Sequence, residues 1–312
     1  MAAELTGPTK HKCKARTEYL NLSRTEQRSS KLRMSQTDLA LRRAAALKAN
    51  QHCYDSLAAA RAPLCKPASD EEIANPLKTV DPLGWLGDTI RQKTVLCLAA
   101  GGGRQSALYA SAGAEVTVVD LSPAMLELDR QVARERKLAI RAVQGSMDRL
   151  DMLPTDAFDI VIHPVSTCYL PDVSAVFREV ARVTRPGGIY VSQHKSPISL
   201  QTSTALGSGS KYCIEHSYYR EDPIPVAREP DSSSRRLRER GAIEYLHRLE
   251  QIIGGICRAG MVIEDLIEPM HADELAESGS FGYRARFVAP YLRIKARKVI
   301  SQTTQPRILF TV

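Results

Sequence analysis

The sequence predicts an α/β fold, a doubly wound, mostly parallel sheet of seven strands with helices on both faces. Three observations predict it. Short apolar runs, among them Val95–Leu98, Val116–Val119 and Phe158–His163, lack alternation, as expected of parallel strands covered on both sides. Segments of helical character separate them, giving the strand–helix–strand order of a wound sheet. The first run breaks into Gly101-Gly102-Gly103 and the second ends in Asp120, which places a ligand site at the carboxyl edge of the sheet.

The elements follow in order. Residues 1–33 show no apolar periodicity and read as disordered, and residues 1–45 together form a basic extension, disordered or helical. Strong helix formers after Ser35 predict a helix over about Gln36–Ala60, broken before Pro63. Asp70-Glu71-Glu72 reads as the acidic first turn of a short helix. Trp85, the sole tryptophan, reads as a core anchor in a turn. A helix starts near Arg104 after the glycine turn. A second spans about Pro123–Arg136, with proline in a first turn that needs no N–H. The third strand is Ala139–Gly145 and the fourth Phe158–His163. Val173, Val176, Phe177, Val180, Ala181 and Val183 form the apolar stripe of a sheet-covering helix. Pro186-Gly187-Gly188 leads into the fifth strand, Ile189–His194. Residues 196–241 are irregular and read as a cap insertion over the site. Gly241–Gly260 reads as one helix ended by glycine, Met261–Leu266 as the sixth strand and Tyr291–Arg297 as the last. The main domain spans 46–300, and 301–312 are a tail.

The first two strands carry the chemistry. Glycine permits positive φ and lets a ligand approach the backbone. The following helix offers unpaired N–H groups to a polar or anionic ligand end. A carboxylate at the tip of the second strand can accept from both hydroxyls of a ribose. This is the layout of a nucleoside-cofactor site. A nicotinamide site wants a third glycine where Ser106 stands, which tells against that class.

Ala99-Ala100-Gly101-Gly102-Gly103, then Asp120-Leu121-Ser122-Pro123-Ala124-Met125-Leu126, resembles the class I S-adenosylmethionine-dependent methyltransferases. Phe158-Asp159-Ile160-Val161-Ile162, Leu170-Pro171-Asp172 and Arg185-Pro186-Gly187-Gly188 recur in that family's order, so the resemblance spans roughly Tyr54–Lys298. It implies a Rossmann-like methyltransferase sheet with a reversed last strand between the fifth and sixth. It implies S-adenosyl-L-methionine as cofactor, held by Ala99, Gly101, Gly103, Arg104, Asp120, Leu121, Met125, Ser146, Met147 and His163. Within that set, the glycine-turn amides and Arg104 would meet the cofactor's carboxylate. Ser146 or the nearby Asp148 would bond the adenine, and Met147 would pack on its face. Tyr54 and its neighbours resemble the family's lid. Two departures concern the methionine end, since the family usually has an acid at Cys97 and a glycine at Ala99.

The function expected is methyl transfer to a small-molecule acceptor by in-line displacement. The alternatives are a non-catalytic cofactor-binding protein and an RNA methyltransferase using the basic arm. His163-Pro164-Val165-Ser166 cannot reproduce the Asn/Asp-Pro-Pro-aromatic motif of enzymes that methylate adenine or glutamine amides. An oxygen or carbon acceptor needs a base, and His163, His194 and His247 are candidates because imidazole titrates near neutral pH. Glu250 joins them, three residues from His247 and on one helix face with it and Glu244.

Composition bounds the rest. The net charge of +8 lies wholly in residues 1–66, and the acids and bases of the remainder cancel. That makes nucleic acid an unlikely expectation for the folded part. Seven cysteines without paired spacing argue against a disulfide framework and a zinc site, so no metal is expected. No apolar run reaches membrane-spanning length. A cytoplasmic monomer or homodimer is the expectation.

Overall fold

The chain is described by a computed structural model over residues 35–225 and 237–300. Two units divide after Leu41; the described part of the first, residues 35–41, opens a helix whose Asp38 N–H donates to Ser35 Oγ at 3.0 Å. In chain order the helices are α1 (Gln36–Ala59), α2 (Asp70–Ala74), α3 (Pro76–Val80), α4 (Arg104–Ser111), α5 (Pro123–Arg136), α6 (Ser174–Val183), α7 (Pro197–Gln201), α8 (Leu249–Arg258) and α9 (Phe281–Ala285). The strands are β1 (Thr94–Leu98), β2 (Glu115–Asp120), β3 (Ile140–Gln144), β4 (Phe158–His163), β5 (Thr184–Lys195), β6 (Met261–Ile267) and β7 (Tyr291–Lys298).

The strands form one sheet in the order β3-β2-β1-β4-β5-β7-β6. β1 to β5 run parallel, and β7 is antiparallel to both β5 and β6. The winding reverses between β1 and β4, where a doubly wound sheet opens a crevice for ligands. Register brings Leu98 beside Val119 on one side of β1 and Cys97 beside Ile162 on the other.

Alternate residues of β1 serve different cores, which is why its sequence does not alternate. Leu96 and Leu98 pack with Val161, Phe177, Val180, Ile252 and Ile256. Val95 and Cys97 pack with Tyr109, Val118, Leu126 and Ile160. These four residues of β1 have no exposed surface, so Val95, Leu96 and Leu98 each contribute about 1.5–3 kcal/mol of burial.

The helix expected over Gly241–Gly260 is confined to Leu249–Arg258. Residues 242–248 are extended because their backbone groups have distant partners. Ile243 N–H donates to Asn50 Oδ1 at 2.7 Å, Tyr245 N–H to Cys168 O at 2.7 Å, and Ile224 N–H to Glu244 O at 2.7 Å. Among the described residues the cap insertion contains α7 and the isolated strand bridge Thr202–Ile214, and Ile224 bridges to Glu244 just beyond it. Residues 1–33, the tail 301–312 and part of the Arg235–Arg240 run lie outside the described residues. Among the described residues no helix is long and apolar enough to cross a membrane.

Candidate active site

The site is built at the carboxyl tips of β1, β2 and β4. Beyond β1 the chain turns at Ala99, whose φ of 49° is left-handed, a region that disfavours a Cβ. The same position usually holds glycine in the family resembled. Gly101 then passes close to β2: a Cβ there would lie 2.8 Å from Met125 Cβ and 3.0 Å from Asp120 Cβ. That proximity sets the acid. Gly101 N–H donates to one Asp120 oxygen at 2.9 Å and Ser122 N–H to the other at 2.9 Å. A carboxylate has about four acceptor positions, so acceptor capacity remains for a ligand in the cavity that Asp120 lines. Burial pushes the Asp120 carboxyl up, and the backbone amides hold it down.

A cavity opens here, bounded by Ala99, Gly101, Asp120, Leu121 and Ser122, by Gly145, Ser146 and Met147 after β3, and by Val165, Ser166, Tyr169 and Leu170 after β4. Leu47, Asn50, Gln51 and Tyr54 of α1 complete the lining, with about 630 Å³ of space between these atoms, part of it open to solvent. Three polar anchors fix α1 in this position. Arg43 grips Asp148 with two hydrogen bonds of 2.5 and 2.8 Å. Asn50 donates to Tyr169 O and Ile243 O, both at 3.1 Å. Asp55 accepts from Ser122 Oγ at 2.5 Å. A lid resemblance singled out Tyr54; the anchors Arg43 and Asn50 were not anticipated. A buried asparagine amid alanines, unhelpful to a helix, was the available signal.

The sequence-derived residues divide into two groups. Ala99, Gly101, Asp120, Leu121, Ser146 and Met147 come together on the cavity. Gly103, Arg104, Met125 and His163 do not line it. Gly103 turns toward α5, where a Cβ would meet Leu128 O at 2.9 Å. Its N–H and that of Gly102 donate to Asp129 at 3.1 and 3.0 Å, and Ser106 Oγ donates to the same carboxylate. An internal acid thus occupies the amides expected to meet a ligand's carboxylate. Burial raises the Asp129 carboxyl to about 6 against these bonds. Arg104 pairs with Glu72, at 2.8 Å for one of two bonds. Met125 is fully buried under the turn, its sulfur 3.7 Å from Cys65 Sγ.

The three histidines are buried and have bonded ring nitrogens. His163 contacts Tyr190 Oη at 2.9 Å and Ser166 Oγ at 2.7 Å. His194 lies between Thr167 Oγ1 and Ser192 Oγ, both at 2.8 Å. His247 Nε2 meets Thr167 O at 3.1 Å and Leu170 O at 2.9 Å. Burial lowers His163 to about 3 and His247 to about 4, and holds His194 well below its usual value. None lines the cavity, though Ser166 carries the His163 contact to its wall. Glu250 is exposed and pairs with Arg248 and Arg258. It shares no helix face with His247 or Glu244, because α8 starts only at Leu249.

What sequence reasoning missed is a buried polar cluster behind the cavity wall. Tyr54 Oη donates to Tyr169 Oη at 2.8 Å, and Tyr169 Oη donates to Glu239 at 2.5 Å. Lys195 lies 3.2 Å from Glu239 and also pairs with Glu244, which pairs in turn with Arg238. Glu239 and Arg238 belong to the stretch 196–241 read from the sequence as irregular.

Sheet order, reversed β7, glycine turn and strand-tip acid together define a Rossmann-like methyltransferase fold, and comparison with known proteins agrees. A family model described as a methyltransferase domain matches residues 96–192. The uncharacterized methyltransferase YbaJ of Bacillus subtilis (strain 168) is 36% identical over 194 residues, 62% of this chain and 74% of that protein. The malonyl-[acyl-carrier protein] O-methyltransferase of Serratia marcescens is 32% identical over 116 residues, 37% of this chain and 44% of that one. Among solved structures, an S-adenosylmethionine-dependent methyltransferase from Mesorhizobium loti superposes with a TM-score of 0.56 at 20% identity, covering 72% of this chain and all of that one. Geranyl diphosphate C-methyltransferase from Streptomyces coelicolor A3(2) gives 0.51 at 17% identity over 76% and 88% of the two chains. The chain belongs to the class I S-adenosylmethionine-dependent methyltransferases and is an enzyme of that class.

Proposed function

We propose that the chain methylates a small-molecule acceptor within the cavity under α1, using S-adenosylmethionine bound at the tips of β1 to β3. The observation that carries this reading is Asp120, half-buried at the tip of β2 and lining the cavity, with acceptor capacity left beyond its backbone amides. That is what two ribose hydroxyls require. The remaining residues fit the same group. Leu121 and Met147 offer apolar surface to an adenine. Ser146 Oγ donates its only proton to Asp148 at 2.5 Å, so it presents lone pairs, which suit the adenine's exocyclic amine. Ala99 and Gly101 leave room at the turn for the amino-acid end. The amides of Gly102 and Gly103, held by Asp129, take no part.

When bound, the cofactor supplies a methyl group already activated on a sulfonium. The protein's own contribution is to hold acceptor and donor at attack distance and angle, which can account for most of the acceleration in such a displacement. Leu47, Asn50, Gln51 and Tyr54 of α1 wall one side of the cavity, which supports a small acceptor over a polymer.

Calorimetric titration of S-adenosylmethionine tests the reading. Micromolar binding is expected, and Asp120→Ala should weaken it about a hundredfold, as losing hydrogen bonds to a charged group costs about 2–3 kcal/mol. Unchanged affinity in that variant would remove the assignment.

A further inference from the structure

The cluster behind Tyr54 and Tyr169 has a fixed direction. Glu239 is ionised, held below the usual carboxylate range by Lys195 and by the Tyr169 hydroxyl against the cost of burial. An ionised carboxylate only accepts, so the one proton of Tyr169 points at Glu239. The oxygen of Tyr169 is then left to accept, and the one proton of Tyr54 points at it. Tyr54 Oη therefore keeps lone pairs and has no proton to offer. Among the described residues no donor bonds to that oxygen, and Tyr54 lines the cavity. Lys195, almost fully buried, secures the far end by pairing with both Glu239 and Glu244.

We propose that Tyr54, Tyr169 and Glu239 form a one-way proton relay that selects a neutral hydroxyl as the methyl acceptor. The inference rests on the reading that the cavity binds S-adenosylmethionine. Tyr54 Oη accepts a hydrogen bond from the acceptor's O–H. As the new carbon–oxygen bond forms and the methyl carbon's bond to sulfur breaks, the acceptor's proton passes to Tyr54. The proton of Tyr54 passes to Tyr169, and that of Tyr169 to Glu239. The products are a methylated oxygen, a neutral thioether and a neutral carboxylic acid at Glu239, so the sulfonium and carboxylate charges cancel together. Oxygen acceptors suit this relay because an oxygen acquiring a third bond yields its proton even to a weakly basic carboxylate, whereas an aliphatic amine keeps it. A carboxylate acceptor has no proton to give, and the lone pairs of Tyr54 repel it. Tyr54 is the catalytic member; Tyr169 and Glu239 act through it as positioning residues.

Phenol and anisole, equal rings of which only the first has an O–H, are titrated against the full chain loaded with S-adenosylhomocysteine. Phenol is expected to bind about tenfold more tightly, the worth of one hydrogen bond. Tyr54→Phe should bring that ratio close to one. Tyr169→Phe and Glu239→Leu free the Tyr54 proton to point into the cavity, so each should lower the ratio several-fold by improving anisole binding, and Glu239→Asp should keep it near the unaltered value. A purely structural role for the cluster would move both ligands alike. Equal affinities in the unaltered protein, binding of neither ring, or a ratio unmoved by Tyr169→Phe and Glu239→Leu overturns the relay. Failure of S-adenosylhomocysteine itself to bind overturns instead the cofactor reading beneath it.

Discussion

Asp129 shows how one carboxylate can close a glycine turn from inside the protein. It is fully buried and takes three donors: the Gly102 and Gly103 amides and the Ser106 hydroxyl. Asparagine offers one oxygen and an amino group, so one of the two amides loses its acceptor. Asp129→Asn is therefore expected to cost about 1–3 kcal/mol of stability, read as a lowered midpoint in urea unfolding. Nothing in the sequence marks this residue. It falls within a helix of mixed polar composition, where an acid reads as exposed. Asp120 was legible because a strand tip after a glycine turn is a defined place for an acid. The histidines mislead for the opposite reason. Imidazole chemistry made them candidates, but their neighbours, tyrosine, serine and threonine hydroxyls and carbonyl oxygens, come from elements that only the fold brings together.

At the scale of elements, the β1 turn works because it approaches β2 closely. Gly101→Ala places a methyl 2.8–3.0 Å from Met125 and Asp120, closer than packed atoms approach, and it displaces the carboxylate with the backbone. The expected outcome is a fold that survives with S-adenosylmethionine affinity down at least tenfold, seen by calorimetry beside an unchanged far-ultraviolet circular dichroism spectrum. The boundaries of α1, α2 and α5 were readable within a residue, since helix formers, first-turn acids and a first-turn proline are local signals. The segment 241–248 was not. A helical spacing covers these residues, yet the backbone groups of Ile243, Glu244 and Tyr245 find their partners at Asn50 of α1, at Ile224 and at Cys168 in the turn after β4. Tertiary hydrogen bonds overrode local spacing.

The whole molecule inherits a pH dependence from its buried groups. His163, His194 and His247 have folded values below the ordinary 6.5. Between that value and the depressed ones the unfolded chain binds more protons. The stability these residues contribute is thus present above pH 6.5 and lost as pH falls toward 4 and then 3. Asp129, raised to about 6, runs the other way: its contribution grows as pH falls through 6 toward the unfolded value. Asp120, also pushed up by burial, runs the same way as Asp129, and the three histidines outweigh the two acids. The melting temperature should drop on going from pH 7.5 to pH 5, with about 2 kcal/mol lost per buried histidine by pH 5. His247→Asn should flatten that slope, and a melting temperature constant across the range would refute the account.

Helix α1 has a consequence for the time course of the reaction. Only Ala46, Asn50, Cys53 and Ala58 of its 24 residues are buried, so directional contacts of Arg43, Asn50, Tyr54 and Asp55 carry much of its hold over the cavity. A ligand held in the cavity as proposed would pass only when those contacts part. A spent thioether nucleoside would leave at the pace of a helix lifting, whatever the speed of the bond-making beneath it.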